Sequence, residues 1–282
     1  MKKVAILGSS GYIGSYLAYN FKKKYKIIIH SRHKIKNKKF NQDIFKKITG
    51  DIRKNHTIYK ILATKPDILI YTISLNHFWS EKNKKVSINN NYQPLKNLLN
   101  SIVKKKLKTK IIYFSTMQVY GRKYNKQIIN EGYPKNIDNV YALTHSMCED
   151  LLIKFKKKIK SHSLRLSNSF GMPVLKNDCW WLVLNDFCRS AKIKGEIIIK
   201  SDGKPLRDFI SLKDVSRVVE KLIIKEFSFP VINVCSGNTF SIKEIANKVS
   251  KNRYFKKKIP VRILKKKKNT KIKKFHYDIS LL

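Results

Sequence analysis

Gly8, Gly11 and Gly14 stand three residues apart, directly after an apolar run near the start of the chain. Glycines at such spacing do three things. They let the chain turn tightly, let a pyrophosphate approach the backbone, and let a helix pack closely on a sheet. A helix starting at this point offers unpaired N–H groups and a positive dipole end to phosphate. The implied chemistry is dinucleotide binding. An acidic residue at the end of the second strand would hold the ribose hydroxyls of NAD. The stretch His30-Ser31-Arg32-His33 has no carboxylate. Arg32 suits a 2′-phosphate instead, which favours NADP over NAD. Asp51 and Ile52, after the third strand, are placed to meet the adenine.

These residues need strands and helices to hold them. The apolar run 3–7 predicts a buried strand and 15–24 a helix. Strands are expected over 25–29, 44–48, 67–73 and 110–114, with helices over 57–64 and around 95–103. This alternation predicts parallel pairing: an α/β fold with a Rossmann-type doubly wound parallel sheet. A long helix is expected over 141–158 and a sixth strand over 163–166. Helices at 180–191, 212–224 and 241–250, with strands at 196–199 and 231–234, predict a smaller C-terminal substrate lobe. The expected division is 1–167, with a return of about 207–224, and 168–282 for most of the lobe.

In order along nearly the whole chain, the sequence resembles the extended short-chain dehydrogenase/reductases, the NAD-dependent epimerase/dehydratase family that acts on nucleotide sugars. Gly8-x-x-Gly11-Tyr12-Ile13-Gly14 is similar to its glycine loop, and Asp51-Ile52 to its adenine-contacting pair. Asn91 falls where the family has an Asn before the fifth strand. The segment 114–121 resembles the one carrying the catalytic Ser/Thr, which by position is Thr116. Tyr141-Ala-Leu-Thr-His145 resembles the YxxxK helix segment. Arg165 to Asn168, with Gly171 and Pro173, resembles the turn at the substrate pyrophosphate. Arg207-Asp208 resembles a late motif whose Arg binds substrate phosphate, and Asn233 with Gly237 a further turn. The resemblance implies Thr116, Tyr141 and His145 as the catalytic set. It implies cofactor contacts from the glycine loop, including Tyr12 and Ile13, and substrate contacts from Asn168 and Arg207. A homodimer is the family habit.

Three departures shape the functional expectation. His145 stands where the family has Lys, whose fixed charge is said to lower the Tyr pKa and whose amine is said to hold the nicotinamide ribose. A free Tyr has a pKa of ~10 and is a poor base at neutral pH. Histidine donates one hydrogen bond but carries only part of a charge near pH 7. Dehydratases carry Asp-Glu after the catalytic Thr; here Met117 and Gln118 follow, which argues against dehydration. Family members continue past a segment like 276–280 with a further helix, whereas this chain stops at Leu282, so a missing helix or a truncated end is expected. The reading is an NAD(P)-dependent nucleotide-sugar epimerase or keto-sugar reductase, with hydride transfer at one sugar carbon and Tyr141/Thr116 as proton shuttle. The alternative is an impaired NAD(P)-binding protein with His145 as its lesion.

The chain has 282 residues, 62 Lys+Arg and 18 Asp+Glu, a formal net charge of +44. That invites a nucleic-acid reading. Hydrophobic residues at 42% and aromatics at 11% exclude a disordered basic tail. The charge is diffuse, and an AT-rich genome accounts for much of the lysine. Lys265-Lys-Lys-Lys268 reads as a solvated run without interleaved aromatics, and nucleic acid is not an expected partner. No run reaches the ~18 apolar residues of a membrane span, and no leader precedes the glycine loop, so a cytoplasmic protein without membrane contact is expected. Cys148, Cys179, Cys188 and Cys235 read as reduced core thiols. His30, His33, His56, His77, His162 and His276 lack metal spacing and read as surface or loop residues; no metal is expected. Trp180, Trp181 and the amides of Asn177 and Asn185 are candidates to touch base or sugar, with core packing an equal alternative for one of the two tryptophans, and none is named as a site.

Overall fold

The computed structural model describes residues 1–40, 42–121, 124, 127–175, 179–265 and 274–282. Among these, the main sheet contains β1 (Lys3–Leu7), β2 (Lys26–Ser31), β3 (Lys46–Thr49), β4 (Ile68–Tyr71) and β5 (Lys110–Thr116). After the short β6 (Ile128–Ile129) comes β7 (Ser161–Leu166). The lobe strands are β8 (Asn168–Phe170), β9 (Ile197–Ile199) and β10 (Leu206–Ser211). β11 (Val231–Val234) precedes β12 (Thr239–Ser241), β13 (Val261–Ile263) and β14 (His276–Tyr277). The helices are α1 (Tyr12–Phe21), α2 (Asn55–Leu62), α3 (His77–Lys82), α4 (Lys84–Asn91) and α5 (Gln93–Lys104). They continue with α6 (Val140–Lys154), α7 (Val183–Lys194), α8 (Leu212–Ile224) and α9 (Ile242–Ser250).

The main sheet is seven-stranded, in the order β11-β7-β5-β4-β1-β2-β3, and every pair is parallel. Its strands are apolar on both faces because helices cover both. In β1, Val4 and Ile6 pack with Leu17 and Phe21 of α1 and Val215 and Val219 of α8. Ala5 and Leu7 point the other way, against Ile61 of α2, Leu95 and Leu99 of α5 and Leu152 of α6. The chain returns to this sheet after β10: α8 lies beside α1, where Lys24 meets Glu220 at 2.7 Å, and β11 adds the edge strand on β7. The lobe has its own core, with Phe187 and Ala191 of α7 against Ile197 of β9 and Ile242 and Ile245 of α9.

Several boundaries differ from the sequence expectation. α1 starts at Tyr12, directly after Gly11, so its N-terminus lies inside the glycine loop. α6 stops at Lys154; the chain then turns, with Lys158 and Ile159 N–H both bonding the Phe155 carbonyl, and Ile159 is buried. α7 starts at Val183, after a turn in which Leu182 N–H bonds the Cys179 carbonyl. His30 and His162 are corrections to the surface reading: both lie in strands and are buried, at 2% and 3% exposure. Cys188 is exposed, a correction to the core reading, while Cys148 and Cys235 are buried.

Candidate active site

Parallel strands deliver their C-terminal ends to one edge of the sheet, and the expected site residues gather there. At the end of β1, Gly8 has φ +89° and a Cβ on it would lie 2.7 Å from Thr72 Oγ1. A Cβ on Gly14 would strike the Gly8 carbonyl oxygen. The helix can sit this close to the turn only without those side chains. Gly11 is less crowded: its Cβ would meet one atom, the Gly8 oxygen, in a tight contact at 3.3 Å. No acidic residue stands in the first turn of α1 to oppose an anion. This cradle fits a dinucleotide diphosphate. Ile13 packs against the core, and the buried Tyr12 donates its hydroxyl to the Gly171 carbonyl at 2.7 Å. Tyr12 thus ties the glycine loop to the lobe. Asn185 donates to Tyr12 and to the Cys179 carbonyl and accepts from Gly171 N–H. Its amide is spent inside the protein, which corrects the expected sugar or base contact. Asn177 lies outside the described residues.

Beyond β2, Arg32 is exposed, with its Nε 3.2 Å from His33 Nε2. Asp51 is gripped by Arg53, whose Nε lies 2.9 Å from Asp51 Oδ2. That hydrogen bonding, assisted by the charges of Arg53 and Arg32, holds the Asp51 carboxyl down at about 2. Arg53 escaped the sequence reading, although its i+2 spacing from an Asp was a visible signal. The Ile52 side chain is buried in the core under the sheet.

Thr116 ends β5 and is buried. It caps the short 3₁₀ turn over Met117–Tyr120 by accepting from Gln118 N–H at 3.2 Å. Met117 faces the core, and exposed Gln118 accepts from Asn139 at 3.3 Å. Asn139 caps α6, and Tyr141 sits in that helix's first turn. Burial pushes the Tyr141 phenol up to about 12, and hydrogen bonding with Thr116 only partly offsets it. His145, one turn on, packs edge-on against the Tyr141 ring with centroids 4.5 Å apart.

His145 is 2% exposed and both ring nitrogens are engaged. Nδ1 lies 2.8 Å from the Tyr113 hydroxyl and Nε2 3.1 Å from Ser74 Oγ. Ser74 uses its one proton on the Leu75 carbonyl, so it accepts from His145. The consistent assignment is the Nε2–H tautomer with Tyr113 donating to Nδ1. Burial pushes the imidazole down to about 4, against a small upward pull from Glu149. The ring is therefore neutral at pH 7. The partial charge anticipated from sequence is absent, and its single N–H is spent on Ser74. Asn91 fixes the neighbourhood, accepting from Leu75 N–H and donating to Thr144 on α6. Glu81 accepts from Tyr141 N–H at 3.1 Å and lies 3.9 Å from His77 Nδ1. The sequence reading missed this pair with α3 itself; the signal was Asn76, which caps that helix.

On the lobe side, Asn168 and Arg207 lie on neighbouring parallel strands, with Asn168 opposite Phe209. Arg207 is two residues from Phe209, so both side chains leave the same face. Both are exposed. Asp208 turns the other way and is 1% exposed, accepting from Ser167, Ser236 and Asn238. The Arg-Asp pair thus divides its work: one side chain faces out and the other pins three segments together. Arg165 is likewise internal, bonded to Glu149 by two nitrogens at 3.0 and 2.8 Å. Trp181 is 64% exposed, and half-buried Trp180 has the Arg189 guanidinium 5.4 Å from its ring centroid. Among the described residues there is no His/Cys/Asp/Glu cluster able to hold a metal. Among them, too, no helix is long and apolar enough to cross a membrane. Lys265 is exposed, and the rest of its run, Lys266 to Lys268, lies outside the described residues.

The chain belongs to the NAD dependent epimerase/dehydratase family, whose model matches residues 4–235. It is similar to the GDP-6-deoxy-D-talose 4-dehydrogenase of Aggregatibacter actinomycetemcomitans, at 25% identity over 86% of this chain and 77% of that protein. Among solved structures it is similar to the UDP-N-acetylglucosamine 4-epimerase of Methanobrevibacter ruminantium in complex with UDP-N-acetylmuramic acid. The TM-score is 0.84 at 24% identity, over 99% of this chain and 90% of that one. The Thermus thermophilus UDP-glucose 4-epimerase in complex with NAD gives a TM-score of 0.78 at 18% identity, over 92% and 87% of the two chains.

Proposed function

We propose that the chain is a nucleotide-sugar oxidoreductase that works best as a keto-sugar reductase. One observation carries this reading: Tyr141 packs against a buried His145 whose two ring nitrogens are both engaged, so that burial pushes the phenol up, to about 12, with no cation beside it among the described residues to bring it down. Such a phenol stays protonated through the physiological range. It is a poor base for a sugar hydroxyl and a competent acid for a carbonyl oxygen. A reduced nicotinamide dinucleotide, when bound, supplies the hydride. Tyr141 would give its proton to the carbonyl oxygen as the carbonyl carbon is reduced, with Thr116 as the second hydrogen-bonding group. Asn168 and Arg207 hold the substrate diphosphate. Arg32, with no acidic residue at the end of β2, supports NADP over NAD. His145 acts through the Tyr141 ring, and its one N–H is committed to Ser74 rather than to the nicotinamide ribose.

The second reading is an epimerase, in which Tyr141 first takes a proton and then returns it. The similar solved structures of 4-epimerases favour it. Both readings share one test. Wild type and Tyr141→Phe are assayed on a panel of keto-sugar and sugar nucleotides with each reduced and oxidised cofactor. Loss of the proton donor is expected to cost ~10²–10⁴ in turnover. Unchanged turnover in Tyr141→Phe contradicts the assignment. Cofactor binding without turnover by wild type would identify an impaired binding protein instead.

A further inference from the structure

The main sheet is wholly parallel, so the loops of the site gather at one edge and the turns leading back into strands gather at the opposite edge. Those turns, taken with the helix ends and first strand residues that adjoin them, are residues 1–3, 22–26, 42–47, 63–67, 104–110, 154–160 and 225–230. Together they span 39 residues and hold 20 lysines, no arginine and three acids, Asp43, Asp67 and Glu226. An even scatter of the chain's 62 cations over 282 residues would place about nine there. Codon bias enriches lysine along a whole chain; it does not select one edge of a fold. Seventeen of the 20 lysines are exposed. A cavity of about 760 Å³ opens in this edge, with Lys108, Lys156, Lys158 and Lys160 in its lining. Apolar side chains stand among the charges, including Met1, Phe45, Phe229 and Ile224, at 74%, 52%, 43% and 62% exposure. The Lys26 ammonium lies 5.7 Å from the centre of the Phe45 ring.

We propose that this edge docks peripherally on an anionic lipid bilayer. The lysines face the phosphate and carboxylate headgroups, and Phe45 and Phe229 sit at the interface. Anionic leaflets attract clustered lysines within a Debye length, about 8 Å at physiological salt. Exposed aromatic and aliphatic side chains add a contact that charge alone does not provide. The absence of arginine speaks against nucleic acid, whose phosphates and bases are met by guanidinium forks and stacking. A spanning helix is not required, so the expectation of no membrane contact, drawn from the lack of a span, does not bear on this edge. In such a docking the active-site edge faces away from the bilayer and stays open to soluble substrate.

The test is vesicle co-sedimentation of the whole chain at physiological salt. Phosphatidylcholine vesicles are compared with vesicles carrying one-third phosphatidylserine. Binding to the anionic vesicles is expected to be at least about tenfold tighter. The triple variant Lys156→Gln/Lys157→Gln/Lys158→Gln is expected to lose roughly tenfold, whereas Lys256→Gln/Lys257→Gln/Lys258→Gln, an exposed triplet on the lobe, changes binding less than about twofold. Thermal midpoints equal to wild type show that both variants fold. Equal binding to the two vesicle types overturns the proposal, as does equal loss in the two triple variants. A single-stranded oligonucleotide that outcompetes the vesicles for wild type, but not for the 156–158 variant, reassigns the edge to nucleic acid.

Discussion

Replacing His145 with lysine is expected to lower the Tyr141 pKa by about 1–3 units, the range produced by a like-placed opposite charge within 4–6 Å. The two rings already touch at 4.5 Å between centroids, so an ammonium on the same helical turn acts at short range. More of the phenol ionises at neutral pH, and oxidation of a sugar hydroxyl gains a base. That direction should speed up by roughly ten- to a hundredfold at pH 7. Reduction, which draws on the protonated phenol, should change by less than about tenfold. In wild type the oxidation rate should keep rising with pH well past 9; in His145→Lys it should level off 1–3 units earlier. A pH–rate profile in both directions reads this out. No change in the oxidative limb would mean that Tyr141 does not sense position 145.

Arg165→Leu is expected to be the most destabilising single change near the site, costing roughly 3 kcal/mol. Glu149 is wholly buried and receives two guanidinium hydrogen bonds from Arg165 and one from Ser115. Burial alone would raise its pKa, and Arg165, Ser115 and Lys135 outweigh that and hold it low. Lys135, 3.1 Å from the carboxylate, remains in the variant and keeps the cost at the lower end of the range for a broken buried pair. Removing both partners, as Arg165→Leu/Glu149→Leu, should recover most of the loss, because no charge is left stranded. Urea midpoints at pH 7 measure both. In wild type the depressed Glu149 pKa means that its contribution is complete above the ordinary Glu pKa. It is lost as pH falls through the lowered value. A single-variant cost under about 1 kcal/mol would show that Lys135 alone satisfies Glu149.

The sheet was legible from sequence because its strands are short apolar runs separated by amphipathic helices, and the helix Leu212–Ile224 was read to the residue. The glycine loop was legible from its spacing between an apolar strand and a helix, although part of what demands Gly8 and Gly14, the approach of Thr72, comes from the distant end of β4. The environment of His145 was not legible. Its partners are 32 and 71 residues distant, one within β5 and one in the loop after β4, and neither Tyr113 nor Ser74 belongs to a local pattern. Its full neutrality follows from that burial, so sequence gave only the weaker expectation of partial charge. The same holds for Asp208, whose neighbours arrive from two distant segments, Ser167 after β7 and Ser236 with Asn238 after β11. The short lobe strands β8, β12 and β13 are three residues each, too brief for any period to declare them. His30 and His162 were misread because a strand covered on both faces buries polar residues at positions that local pattern leaves open.

The most direct measurement is the titration of His145 itself. In protein labelled at the histidine rings, its Cε1–H resonance is assigned by its loss in His145→Gln and followed from pH 8 down. A buried, neutral imidazole with a pKa near 4 predicts a shift that stays flat until the pH is well below 6. A midpoint at 6.5 or higher would mean that His145 carries charge beside Tyr141 under working conditions, and would contradict the assignment of Tyr141 as a standing proton donor.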